Sequence, residues 1–226
     1  MLKKIYLIVT VILLLLILFC VFKIKKHDNI QRQANNINDL SELSDNNLDL
    51  DYYRKFYNNE DIIAMLKIAD VTTLIVQSED NDYYLNHLLD SSYNILGTPF
   101  LDYRNNLDDK KIIIYGHNAH HYETPLKVLE KYLNEDFYRN NSEIILTTDN
   151  KVITYKIFSV AEYENDYNYS ILNVSDWEKH YDYLYKNSIY ETAVTINSKD
   201  DILLLQTCSN TKKNSYIVLS GKKIKE

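Results

Sequence analysis

Two side chains in this sequence have the chemistry for nucleophilic acyl transfer, Cys208 and His117, and each closes an apolar run. "DILLLQTCSN" carries aliphatic residues up to Leu205, then Gln206 and Thr207, and then the thiol. "KIIIYGHN" ends in Gly116, which permits a tight exit, followed by His117. A thiol at the end of a β-run sits on a rim, where neighbouring backbone N–H groups can donate hydrogen bonds to a reacting carbonyl. An imidazole beside it favours the thiolate, and the imidazolium can afterwards protonate a leaving amine. Free cysteine is also among the most buried residue types, and a histidine at a strand end is commonly structural, so each residue alone also fits a packing role. As a pair at two strand ends of one domain they point more strongly to catalysis. "HNAHH" (His117, His120, His121) invites a metal reading, but no cysteine lies nearby and a site would need ligands from elsewhere. No metal or other cofactor is therefore expected, and His87 and His180, in turn or helical context, read as solvated.

The elements that must position this pair are mostly strands. Short β-rich runs lie at 71–77, 98–103, 111–116, 143–148, 152–160, 192–196, 201–208 and 216–224, separated by polar turns such as Asp80-Asn81-Asp82 and Asp149-Asn150. That pattern predicts a mainly β domain, a closed barrel or sandwich. Helices interrupt it at "PLKVLEKYL" (125–133), with proline in the first turn, and at "VSDWEKHYDYLYKN" (174–187), which opens on a Ser-Asp cap. A further short amphipathic helix is expected at "IIAMLKI" (62–68), after the cap chemistry of Asn59-Glu60-Asp61.

The 226 residues suit one ordinary domain once any targeting segment is set aside, and the net charge of −7 argues against a nucleic-acid partner. The chain is poor in Gly and Pro and rich in Asn, Lys, Ile and Tyr, which reads as base-composition bias, so its 21 tyrosines are not in themselves a carbohydrate platform. "IYLIVTVILLLLILFCVF" (5–22) is close to the minimum length for a membrane span, and no small-x-small cleavage site follows it. An uncleaved N-terminal anchor over 1–26 is expected, then a polar stalk over 27–50 and a catalytic domain over 51–226. Lysines on both sides of the span leave orientation open. Cys20 falls within the span and cannot pair with Cys208.

"IIIYGHN" and "LLLQTC", in that order and followed by a terminal strand, resemble the histidine and cysteine motifs of the sortases, specifically class B. The resemblance extends through "DIIAMLKI", "VQSEDNDYYLNH" and "GTPFLDYRNN" and covers roughly residues 51–224. It implies an eight-stranded sortase-type β-barrel with N-terminal helices and an inserted helix between late strands. The implied enzyme is a Gram-positive cysteine transpeptidase, held by its N-terminal span in the bacterial cell membrane with the catalytic domain outside. It would cleave a C-terminal sorting signal of surface proteins through a thioester and pass them to a cell-wall peptide amine. Cys208 would be the nucleophile and His117 the acid/base, with Gln206, Thr207 and Tyr167 along the substrate groove. The family's arginine on the last strand, which binds substrate and stabilises the oxyanion, has no counterpart after Arg139. The simplest alignment puts Ser215 there, with Lys213 as a second candidate, and Arg104 reads as structural. A thiol hydrolase of the same fold, or a catalytically weak barrel that binds surface peptides, are the alternative functions.

Overall fold

The computed structural model describes residues 2–38 and 49–226. A long helix, α1 (Leu2–Asn38), leads to a short one, α2 (Leu50–Tyr57). The strands are β1 (Ile62–Ile68), β2 (Val71–Val76), β3 (Phe100–Leu101), β4 (Lys111–Tyr115), β5 (Glu143–Thr147), β6 (Val152–Glu164), β7 (Ile202–Cys208) and β8 (Ser215–Lys225). Helix α3 (Glu135–Asn140) precedes β5, and α4 (Trp177–Lys186) lies between β6 and β7. The eight strands close into a barrel in the order β1-β2-β3-β4-β7-β8-β6-β5.

The barrel interior is filled by aliphatic side chains in alternate register, among them Ala64, Leu66, Ile114, Leu203, Leu205, Ile217 and Leu219. The intervening residues of several strands are buried too, because helices cover the outside. α2 packs Leu50, Tyr53 and Tyr57 on Ile62 and Met65, while α4 packs Tyr181 and Leu184 on Ile113, Leu204 and Val218. Strands buried on both faces read as continuous apolar runs with no clean alternation.

That explains one correction. "IIAMLKI" is β1 rather than a helix, paired with β2 and β5, and it completes the barrel. Asn58 ends α2 in the left-handed region with φ 50, so this polar cluster closes a helix instead of opening one. Asn59 spends its side chain on the Asp61 N–H (2.9 Å) and the Leu89 carbonyl (2.7 Å). A second correction concerns 192–196, expected as a strand. It has no ladder partner, and side chains satisfy it: the Tyr185 hydroxyl donates to the Thr192 carbonyl (3.0 Å) and Lys222 to the Thr195 carbonyl (2.9 Å). The expected helix at 125–133 is present as a 3-10 helix, and that at 174–187 as α4, capped by the Asp176 carboxylate on the Lys179 N–H (3.1 Å).

Residues 27–38, expected as part of a stalk, continue α1 and dock on the barrel; 39–48 lie outside the described residues. Ala34 is buried against Leu88 and Leu96, and the His27 ring stacks on Tyr122 at 4.3 Å. Gln31 exchanges hydrogen bonds with the Glu123 backbone at 3.0 and 2.8 Å. Upstream, α1 holds a stretch long and apolar enough to cross a membrane.

Candidate active site

β4 and β7 run parallel as neighbours, with Ile114 opposite Leu205 and Tyr115 opposite Gln206. Both chemistry-bearing segments therefore leave the barrel at the same end. Beyond the ladder, hydrogen bonds extend the pairing. The Gly116 N–H donates to the Gln206 carbonyl (3.1 Å), the Thr207 hydroxyl to the Gly116 carbonyl (2.8 Å), and the buried Asn118 amide to the Cys208 carbonyl (2.9 Å). Asn210 in turn donates to the Asn118 side-chain oxygen (2.9 Å), and the Thr124 hydroxyl caps the His117 carbonyl (2.6 Å). Gly116 leaves room for Leu126, whose Cδ1 would stand 2.8 Å from a Cβ placed here. His117 is thus stitched alongside Cys208 by backbone and amide contacts on both flanks.

The Cys208 residue is exposed, but its thiol is desolvated enough by surrounding protein that its pKa is raised. At neutral pH the thiol form therefore predominates. His117 Nε2 lies 2.7 Å from the Leu85 carbonyl oxygen. A carbonyl only accepts, so Nε2 carries the proton and Nδ1 is the nitrogen available to exchange one with substrate or thiol.

Along β7 the side chains alternate, which separates the two residues expected in the groove. Gln206 shares the face of Cys208, and the Tyr169 hydroxyl donates to its Oε1 (2.9 Å). Thr207 points the other way, is buried, and clamps Gly116; it holds the strand pair together and lines no groove. Tyr167 is exposed beside the site, its ring 5.7 Å from that of Tyr216.

Ser215, expected at the oxyanion position, does not lie across from Cys208. Ser215 is buried and pairs with Glu164, and its hydroxyl turns back to the Lys213 carbonyl at 3.5 Å. The residue directly opposite Cys208 on β8 is Tyr216, and directly opposed residues share a face. Lys213 is exposed on the turn, while Lys212 reaches back to Glu162 at 3.0 Å. Glu162 also accepts hydrogen bonds from Ser209 and, at 2.6 Å, from Thr211, which fastens the 209–212 turn to β6. Burial acts to raise the Glu162 pKa, but these donors outweigh it and hold the carboxyl below its usual range. Arg104 is committed to buried Asp102 through Nε (2.9 Å) and an NH2 nitrogen (2.7 Å), with the Tyr115 hydroxyl on the same carboxylate (3.0 Å).

A buried ion centre supports the loop beside the site. The Lys111 ammonium donates to the carbonyls of Tyr169 (2.5 Å) and Ile171 (2.7 Å) and contacts His180 Nε2 at 2.8 Å. Burial pushes Lys111 down to about 7, and burial together with the Lys111 charge pushes His180 down to about 4. His180 is therefore a buried neutral acceptor and not the solvated side chain expected from its helical context. A cavity of about 580 Å³ between α4 and 192–197 lies away from the thiol and adds nothing to this site.

A closed mixed barrel that presents a thiol and an imidazole at the ends of adjacent parallel strands defines a cysteine acyl-transfer enzyme. The family model for the sortase domain matches residues 67–223, and the chain belongs to the sortase family. Its relatives place it in class B, whose members are cysteine transpeptidases. It is 32% identical over 173 residues to Sortase B of Listeria monocytogenes, covering 73% of this chain and 70% of that one. The solved sortase B of Clostridium perfringens superposes with TM-score 0.71 at 29% identity, over 77% of this chain and 98% of that chain. A Staphylococcus aureus sortase B–substrate complex superposes with TM-score 0.71 at 25% identity, over 78% and 84%.

Proposed function

We propose that this chain is a membrane-anchored transpeptidase that cleaves a C-terminal sorting signal of surface proteins and transfers them to an amine of a cell-wall peptide. The observation that carries it is the parallel β4/β7 pairing, continued by Gly116, Thr207 and Asn118, which holds the His117 and Cys208 ends side by side at the barrel rim. The Cys208 thiol passes its proton to His117 Nδ1 as the sulfur adds to the scissile carbonyl, and that Nδ1–H protonates the leaving amine as the C–N bond breaks. The thioester that remains is attacked by the incoming amine, which gives its proton back to His117. Gln206 and Tyr167 line the approach to the thiol. The substrate complex of the Staphylococcus aureus relative supports a peptide substrate.

The apolar helix supports anchoring, and the docking of its 27–34 turns on the barrel keeps the catalytic domain close to the bilayer, on the outer side where surface proteins are displayed. Protease added to intact protoplasts digests the domain under this reading; protection would place it in the cytoplasm. Adding oligoglycine to a peptide-cleavage assay yields the ligated amide at the expense of the acid product. A product mixture indifferent to amine would make the enzyme a hydrolase.

A further inference from the structure

β8 holds no arginine, and two of the charges that could serve in its place are engaged elsewhere. Arg104 is held by Asp102 and Lys212 by Glu162. The position across from Cys208 is occupied by Tyr216, and the register continues from Tyr216 to Tyr163 on β6. Cys208, Tyr216 and Tyr163 thus form one row over three strands, all on one face of the barrel. Tyr167, from the loop after β6, sets its ring 5.7 Å from that of Tyr216, the middle of this row. That loop is itself pinned by Lys111 on the Tyr169 and Ile171 carbonyls and by Tyr169 on Gln206. The row therefore has a rigid back and one partly exposed phenol beside the thiol.

We propose that the Tyr216 phenol, held by Tyr167, donates the hydrogen bond that stabilises the oxyanion formed when the Cys208 thiolate adds to an acyl carbonyl. The proposal rests on Cys208 being the nucleophile. In the addition step the C–S bond forms and the carbonyl π pair moves onto oxygen, while Tyr216 keeps its proton and turns it from Tyr167 to that oxygen. On collapse the lone pair re-forms C=O, the C–N bond breaks, and the amine leaves with a proton from His117. A phenol serves as donor only while protonated. A hydrogen bond with Tyr167, partial burial and the Cys208 charge raise the Tyr216 pKa, so the proton stays in place throughout the neutral range. A neutral phenol is a weaker donor than a guanidinium, so the enzyme is built for slow addition.

The test compares two reactions at the same sulfur in the full chain in detergent. Acylation by p-nitrophenyl acetate passes through an oxyanion, whereas alkylation by iodoacetamide does not. Both are followed by intact mass over a pH series, to correct for thiolate fraction. Tyr216→Phe should slow acylation about a hundredfold, the lower end of what loss of one such donor costs. Its alkylation should stay within about twofold of wild type at equal thiolate fraction, and Tyr216→Arg should restore acylation. Equal changes in both reactions, or no change in either, would overturn the proposal. So would an acylation-selective loss in Lys213→Ala with Tyr216→Phe at wild-type rates, which would assign the role to the lysine. Because the ester needs no peptide recognition, the result stands apart from whether sorting-signal peptides are substrates.

Discussion

Asn118 is the residue whose removal separates the positioning of the catalytic pair from the pair itself. Its side chain is buried, donates to the Cys208 carbonyl at 2.9 Å and accepts from Asn210 at 2.9 Å, one residue along from His117. Asn118→Ala deletes both bonds and deprives the Cys208 carbonyl and the Asn210 amide of a partner. Orphaning one buried polar group costs about 1–3 kcal/mol. Asn210 is exposed and water can replace its bond, so we take the lower part of that range, about 1–2 kcal/mol in all. For a chain of this size that lowers Tm by about 2–8 °C. The effect on rate is larger, because misplacing reacting groups by about 1 Å can cost a hundredfold. Peptide transfer is therefore expected to fall about tenfold to a hundredfold, measured well below both unfolding midpoints. Alkylation of Cys208 above its thiol pKa should stay within about twofold, since the nucleophile itself is untouched. Asn118→Asp should be worse than alanine, because it turns a carboxylate toward the Cys208 carbonyl. An Asn118→Ala enzyme that transfers peptide at the wild-type rate would refute the reasoning. So would a loss of transfer matched by an equal loss of alkylation.

Two further outcomes follow from the same geometry. The folded-state pKa values of Lys111 and His180 lie below their ordinary values of 10.5 and 6.5, so the unfolded chain binds more protons in each window. The sign is the same for both: stability falls as pH drops from 10.5 to about 7 through Lys111, and again from 6.5 to about 4 through His180. Urea denaturation of Lys111→Met over the upper window should show a flattened slope; an unchanged slope would remove Lys111 as its source. Ala34→Glu puts a carboxylate into the contact of α1 with Leu88 and Leu96, and amide exchange in 117–124 should quicken with a severalfold loss of transfer. Unchanged exchange there would mean that α1 does not brace the histidine loop.

The placement of Cys208 and His117 at neighbouring strand ends was legible because both residues end apolar runs, and strand ends are where a barrel exposes side chains. The inserted helix was legible from its cap and from Trp177, Tyr181 and Leu184 on one face. β1 was not, since a strand covered by α2 outside and the core inside shows no alternation. The 192–196 run has the β-branched residues of a strand, but propensity does not say whether a neighbouring strand is free to pair. The pairing of Tyr216 with Cys208 was not legible because counting along the chain ignores register. The alternation of Tyr216 and Val218 against Ser215, Ile217 and Leu219 carries the signal, but only the length of the 209–214 turn decides which residue meets Cys208. Lys111 looked like a polar strand boundary, and nothing local announces that its ammonium is buried on two loop carbonyls. Asn118 and Asn210 read as loop polarity for the same reason.

The central claim is that Cys208 carries the acyl group during transfer, and intact-mass analysis of the full chain mixed with a library of sorting-signal peptides tests it most directly. The account predicts a peptide adduct on Cys208 that is labile to hydroxylamine, discharged by oligoglycine as a ligated product, and absent in folded Cys208→Ala. His117→Ala should form it far more slowly, whereas His120→Ala and His121→Ala should form it at close to the wild-type rate. Cleavage that persists in folded Cys208→Ala would contradict the account, as would a chain whose Cys208 alkylates readily yet takes up no peptide.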